Sequence, residues 1–129
     1  MTENRRKYGA YGEEVAAAFL VKKGYTVIAR NFTVRGGELD IVATCGDILC
    51  FIEVKTRKNN QYGTPGEAVD NRKKQHLITA AERFLYEYRD DERVKDKTVR
   101  FDVIEICTQN KTIRHIKGID LTCGDAYGE

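Results

Sequence analysis

The sequence lacks any apolar run close to the roughly 20 residues that a bilayer-spanning helix requires. Its first residues, from Met1 to Arg5, are polar and do not contain the apolar segment of a secretion signal. Internal repeats and low-complexity segments are absent as well. These absences predict a cytoplasmic protein without a membrane partner.

Cysteine and histidine are scarce and scattered. The four cysteines (positions 45, 50, 107 and 123) include no pair separated by two residues and have no histidine at ligand spacing, which argues against a zinc site. A chain of 129 residues buries a sizeable core without a disulfide framework, so Cys50 and Cys107, which lie in apolar patterns, are expected to be buried hydrophobic residues. We expect one domain over residues 1–129, with a peripheral or flexible tail from 120.

Neither charge is in clear excess, because the chain contains 22 Lys and Arg residues and 20 Asp and Glu residues. The net charge of +2 therefore does not by itself indicate a nucleic-acid partner. Basic residues are nevertheless grouped in three runs, at 5–7, 55–58 and 72–74. Each run fits either a solvated face or a contact for a phosphate backbone, and both interpretations stay open.

Hydrophobic periodicity predicts the order α-β-β-β-α-β-β. The predicted bounds are 4–23 for the first helix, 25–32, 38–44 and 48–56 for three strands, 70–89 for the second helix, and 100–108 and 112–119 for two more strands. The third and fourth strands are joined across the second helix, so a right-handed crossover makes them parallel. The expected fold class is α/β, with a mixed central sheet flanked by helices.

The second predicted strand contains an acidic residue, although buried strands usually lack charged side chains. Because side chains alternate along a strand, Leu39 and Ile41 are expected to share one face, with Glu38 and Asp40 on the other. An aspartate in this setting needs an explanation, because burial of an ion costs several kcal/mol.

The third predicted strand is apolar on both faces except for two charges. Glu53 and Lys55 are expected to share a face with Phe51, while Ile52 and Val54 lie opposite. Such a strand is typical of a sheet covered on both sides. An Asp and a Glu-x-Lys on neighbouring buried strands therefore indicate a chemical role.

These residues fit the needs of phosphodiester hydrolysis, which is the role that we expect. Mg²⁺ takes oxygen ligands and is usually held by one or two carboxylates with several waters, which Asp40 and Glu53 can supply. Lys55 is placed to orient a water and to stabilise charge on the phosphate. Glu13 on the first helix is a further candidate metal ligand, direct or through water, and Glu38 is a candidate for a supporting position. Candidate nucleic-acid contacts are Arg57, Lys73, Lys74 and Gln75.

Together these residues resemble the PD-(D/E)xK nuclease superfamily, whose fold is the restriction-endonuclease-like αβββαβ core. The wider pattern is similar to the YraN-like family of uncharacterised bacterial proteins, which are predicted nucleases akin to archaeal Holliday junction resolvases. The matching segments are Gly9-x-x-Gly12-Glu13-x-x-Ala16, Gly24-Tyr25, Arg30-Asn31, GGELDIV, FIEVKTR, the loop from Tyr62-Gly63 to Val69, Lys74-Gln75 and Arg100-Phe101-Asp102-Val103. Leu39 replaces the eponymous proline.

The resemblance implies a Mg²⁺- or Mn²⁺-dependent endonuclease with a site of Glu13, Asp40, Glu53 and Lys55. Its implied partner is DNA, with branched DNA among the candidate substrates, and a homodimer would suit symmetric cutting of two strands. Two alternatives stay open: a non-catalytic nucleic-acid-binding module of the same fold, and an interaction protein in which Asp40, Glu53 and Lys55 form a buried ion-pair cluster.

Overall fold

The computed structural model describes residues 3–58 and 71–121, with side chains from residue 9 onward. Its elements are α1 (Glu3–Lys22), β1 (Thr26–Val34), β2 (Gly37–Cys45), β3 (Ile48–Arg57), α2 (Asn71–Glu87), β4 (Thr98–Cys107) and β5 (Thr112–Ile116). All seven predicted elements are present, and their ends differ from the prediction by at most three residues. The loop from Tyr62-Gly63 to Val69, the first residue of the predicted second helix (position 70), Cys123 and most of the tail lie outside the described residues.

The five strands form one mixed sheet in the order β1-β2-β3-β4-β5. Neighbouring strands are antiparallel except β3 and β4, which run parallel from Ile48–Thr98 to Arg57–Cys107, as the crossover predicted. The α/β fold class is therefore confirmed, and the architecture is consistent with a restriction-endonuclease-like core. Among the described residues no helix is long and apolar enough to cross a membrane.

Each face of the sheet is covered by one helix. The α1 face buries a cluster that includes Ala16, Leu20, Ile41 and Ile52. The α2 face buries a second cluster of larger side chains, among them Leu39, Phe51, Leu77 and Phe84. A central strand such as β3 is thus apolar on both faces because both faces are buried.

The prediction that Leu39 and Ile41 share one face is wrong. Leu39 lies in the core beneath α2, whereas Ile41 lies in the core beneath α1. Regular alternation would place residues i and i+2 on the same side. The strand therefore departs from regular alternation at Asp40, the residue between them.

Helix α1 ends in the manner that its sequence predicts. Gly24 has a φ of +95°, Tyr25 N–H donates to Leu20 C=O over 2.9 Å, and Gly24 N–H donates to Val21 C=O over 3.0 Å. This pair of bonds is a Schellman motif, which requires a left-handed residue and so favours glycine. The motif turns the chain directly into β1.

Gly12 brings α1 into close contact with β3. A Cβ atom added at Gly12 would overlap Thr56 Oγ1, whereas a Cβ at Gly9 would meet nothing within 4 Å. Gly12 therefore allows a close approach of the helix to β3, and Gly9 does not serve this purpose. This approach places the following residue, Glu13, beside the end of β3.

We predict that Gly12→Ala and Gly9→Ala have opposite effects on stability. Gly9→Ala should raise the free energy of unfolding by about 1 kcal/mol, because alanine is the better helix former. Gly12→Ala should lower it by about 1–3 kcal/mol through overpacking against Thr56. Urea unfolding measures both, and equal stabilisation by the two substitutions would contradict a close α1–β3 contact.

Candidate active site

Asp40 lies where the pairing between β2 and β3 ends. The two strands are paired from Cys45–Ile48 to Ile41–Ile52, and the pairing stops before Asp40 and Glu53. At this point Val54 N–H donates to Asp40 Oδ2 over 2.8 Å. The side chain thus takes the place of a main-chain partner and is held close to the strand that carries Glu53.

Glu53 is a buried carboxylate, with only 3% of its surface exposed. Its Oε2 lies 3.0 Å from Lys73 Nζ on α2 and 3.5 Å from Lys55 Nζ on the same strand. Its Oε1 is buried and accepts no hydrogen bond from the part of the chain that the structure describes. A buried acceptor without a donor costs free energy, so this oxygen points to a ligand.

The Glu53 carboxylate and burial together disfavour the charged form of Asp40. Burial and the neighbouring Glu53 carboxylate raise the pKa of Asp40 from 3.8 to about 8, although the Val54 N–H opposes the shift. Burial lowers the pKa of Lys73, but the attraction of Glu53 outweighs this and the net shift is upward. The raised pKa of Asp40 means that its ionised form is not fully compensated where it lies, and a bound cation would favour that form.

Glu13 lies beside this pair on α1. Its carboxylate is 3.9 Å from Arg30 Nη2 and is hydrogen-bonded by the Asn31 side chain. Burial raises the pKa of Glu13, and the charges of Glu38 and Glu53 contribute to the shift. Glu13 is thus electrostatically part of the acidic site, although its direct contacts are with β1. Glu38 is exposed and contributes only through its charge.

The donor set fits Mg²⁺ or Mn²⁺ held by two carboxylates. Asp40 and Glu53 offer hard oxygen ligands, and Glu53 Oε1 has no donor among the residues that the structure describes. Within the described residues no group of three or more His, Cys, Asp or Glu side chains is arranged to hold a metal ion. Waters would complete the coordination, as Mg²⁺ commonly requires, and Glu13 would act through one of them.

The predicted nucleic-acid contacts occupy different environments. Lys73 is half-buried against Glu53, and Gln75 is exposed on the next turn of α2, close to the half-buried Lys74. Arg57 Nε lies 2.9 Å from Glu105 Oε2, in an ion pair whose geometry is not that of a hydrogen bond. The two lysines and Gln75 therefore share the start of α2, while Arg57 lies at the end of β3.

A second buried aspartate, Asp102, is fully paired. It accepts hydrogen bonds from Arg100 Nε (2.9 Å) and the Gly118 N–H (3.0 Å), and His115 Nε2 lies 2.8 Å away. Burial raises the pKa of Asp102, but the bonds from His115 and Arg100 bring it down to about 2. This network ties β4 to β5 and to the chain beyond it.

Sequence reasoning missed three contacts near the site. These are the ion pair between Lys73 and Glu53, the ion pair between Arg57 and Glu105, and the hydrogen bond between Asn31 and Glu13. The first two join residues far apart in the sequence, and no local pattern reveals them. Arg30-Asn31 was part of the resemblance, which was the only available signal for Asn31.

Comparisons with known proteins match most of the chain. The model of the uncharacterised protein family UPF0102 matches residues 12–106. A UPF0102 protein of Symbiobacterium thermophilum is 44% identical over 101 residues, which cover 78% of this chain and 82% of that protein. A UPF0102 protein of Myxococcus xanthus is 39% identical over 116 residues, which cover 88% and 89% of the two chains.

We predict opposite effects for the same substitution at the two buried aspartates. Asp40→Asn should be neutral or stabilising, because it removes carboxylate crowding while its amide oxygen still accepts the Val54 N–H. Asp102→Asn should cost about 3–5 kcal/mol, because it leaves Arg100 and His115 without their carboxylate. Comparable destabilisation by both would favour a structural ion-pair cluster at Asp40.

The raised pKa of Asp40 also predicts how the free energy of unfolding depends on pH. The folded-state pKa of Asp40, about 8, lies above its ordinary value of 3.8, so the folded protein binds the extra proton between these values. Stability should therefore fall as pH rises from about 4 to 8, by at most about 1.4 kcal/mol per pH unit. Urea unfolding of the metal-free protein at several pH values should show this slope, and Asp40→Asn should flatten it.

Proposed function

The chain belongs to the uncharacterised protein family UPF0102, and we propose that it is a divalent-metal-dependent nuclease that hydrolyses phosphodiester bonds in DNA, with branched or structured DNA among its candidate substrates. The family name states no activity, so the proposal rests on the site. Its main support is Glu53, a buried carboxylate with one oxygen that accepts no hydrogen bond within the described part of the chain, beside the crowded Asp40. The resemblance to the PD-(D/E)xK superfamily agrees with this chemistry.

Asp40 and Glu53 are the residues that would hold Mg²⁺ or Mn²⁺. When bound, such an ion lowers the pKa of a coordinated water and offsets charge on the phosphate. Asp40 is fixed for this role by the Val54 N–H, and Glu53 by Lys73 and Lys55. A ligand set held in this way needs little rearrangement when the substrate arrives.

Lys55 is the candidate for direct contact with the reacting phosphate. It lies on β3 two residues after Glu53, and its ammonium is 3.5 Å from that carboxylate while 29% of its side chain stays exposed. The charge therefore adjoins the acidic pair and still faces solvent, where a phosphodiester can approach. In that position it stabilises negative charge that develops during attack.

The start of α2 supplies the candidate surface for the DNA backbone. A groove of about 270 Å³ lies between this helix and the β1–β2 turn, with Glu38, Lys73 and His76 in its wall. Lys73 joins the groove to the buried Glu53. Lysines that contact phosphates hold a nucleic acid in register without reading its sequence.

We predict that cleavage requires the acidic pair and Lys55. Supercoiled, linear, single-stranded and four-way-junction DNA, and RNA, would be incubated with Mg²⁺ or Mn²⁺ and the wild-type protein. Asp40→Asn, Glu53→Gln and Lys55→Met should each reduce the rate by about 100-fold or more, because each removes stabilisation of the reacting charges. The preferred substrate would then define the substrate class.

Glu82→Gln, an exposed residue of α2 away from the acidic site, is the matched control and should leave the rate unchanged. An inactive wild-type protein that still binds DNA as tightly as Asp40→Asn does would contradict the nuclease proposal. That result would favour the non-catalytic nucleic-acid-binding module.

We predict that Lys74→Ala weakens DNA binding at every sequence tested. Loss of one phosphate contact should reduce the slope of the logarithm of affinity against the logarithm of salt concentration by about 1. Fluorescence anisotropy over a salt series measures both quantities. Lys95→Ala, exposed in the connection between α2 and β4, is the control, and equal effects of the two substitutions would contradict a docking surface on α2.

A further inference from the structure

Asn31 has an unusual backbone conformation for a strand residue. Its φ is 54°, in the left-handed region that residues other than glycine rarely adopt. Among the described residues, Asp96 and Lys111 are the other non-glycine residues with positive φ, and both lie in turns. Asn31 is thus the one that lies inside a strand, and such outliers persist only where the surrounding structure enforces them.

Asn31 lies opposite Asp40 at a break in the β1–β2 ladder. Arg30 pairs with Ile41 and Phe32 pairs with Leu39, but no pair is formed at the rung between them. This rung is the same place at which β2 loses its regular alternation. The left-handed residue of β1, Asn31, therefore lies opposite Asp40 of β2.

Both strands change the face of their side chains at this rung. Before it, Arg30 reaches Glu13 and Glu14 on α1, and its partner Ile41 lies in the core beneath α1. After it, Phe32 and Leu39 lie in the core beneath α2, where Phe32 packs edge-on against Phe84 at 5.1 Å between ring centroids. In regular strands Arg30 and Phe32 would share a face. The left-handed backbone at Asn31 accounts for the reversal in β1, and β2 follows it across the pairing.

The Asn31 side chain serves the same site in another way. Its amide hydrogen-bonds the carboxylate of Glu13, which Arg30 also approaches at 3.9 Å. Two consecutive residues of β1 thus hold the one acid that α1 contributes. The backbone and the side chain of Asn31 act on different acids of the site.

We propose that Asn31 is a positioning residue of the nuclease site, which holds Glu13 through its amide and sets the place of Asp40 through its left-handed backbone. This inference rests on the proposed function, since positioning has meaning only for a working site. Residues that orient metal ligands from outside the coordination shell typically change metal affinity or activity 10- to 100-fold when they are replaced. Asn31 does not contact the reacting atoms itself.

Two substitutions separate the two roles. Asn31→Gly keeps the left-handed backbone and removes the amide, whereas Asn31→Ala removes the amide and also disfavours the backbone. Lys111→Gly and Lys111→Ala are matched controls, because Lys111 has the same φ of 54° in the β4–β5 turn. The Val54 amide reports on Asp40, to which it donates over 2.8 Å.

Calorimetric titration of each protein with Mn²⁺ alone and the NMR shift of the Val54 amide are the two readouts. We expect Asn31→Gly to bind Mn²⁺ about 10-fold more weakly with the Val54 shift unchanged, because only the hold on Glu13 is lost. Asn31→Ala should weaken binding further and move the Val54 shift, because Asp40 is displaced as well. Neither Lys111 variant should change either readout.

Wild-type affinity in Asn31→Gly, or an unchanged Val54 shift in Asn31→Ala, would overturn the inference. A wild-type protein that binds no Mn²⁺ would instead overturn the metal-dependent nuclease proposal. In that case the Val54 shift still decides whether Asn31 sets the position of Asp40, so the two failures are distinguishable.

Discussion

The burial of the Glu53 carboxylate is the constraint on which the arrangement of the site depends. A carboxylate at 3% exposure in a strand covered on both faces carries a desolvation cost of several kcal/mol. Lys73 and Lys55 offset that cost at one oxygen, and the other oxygen is left without a donor among the described residues. An apolar side chain of similar size would cost less free energy to bury at this position, so packing alone does not explain an acid there.

Two buried aspartates of the same sheet have opposite pKa shifts because their surroundings differ. Hydrogen bonds and a cation hold the pKa of Asp102 at about 2, so its charge stabilises the fold. Burial and a neighbouring acid raise the pKa of Asp40 to about 8, so its charge opposes folding when no cation is present. A residue that is kept ionisable at a cost in stability is typical of a functional site.

The sequence predicted those features that depend on local periodicity. The faces of β3 follow from the two-residue period of a strand, and the parallel pairing of β3 with β4 follows from the handedness of crossovers. The face of Leu39 was mispredicted, because one left-handed residue on the neighbouring strand reverses the alternation and leaves no mark in the hydrophobic pattern. The pairs Lys73–Glu53 and Arg57–Glu105 depend on how α2 and β4 pack, which no local pattern encodes.

The candidate site lies within the region of the chain that matches the family model. It begins at Gly12 and ends at Ile106, so it includes Glu13, Asn31, Asp40, Glu53 and Lys55 and leaves out β5. Gly12 itself is the residue that lets α1 approach β3 and so places Glu13. The acids, the lysines and the backbone irregularity that arranges them thus all fall within the segment that defines the family. The candidate site therefore lies wholly within the matched region, whereas β5, which pairs with the edge of β4 and brings His115 to Asp102, lies outside it.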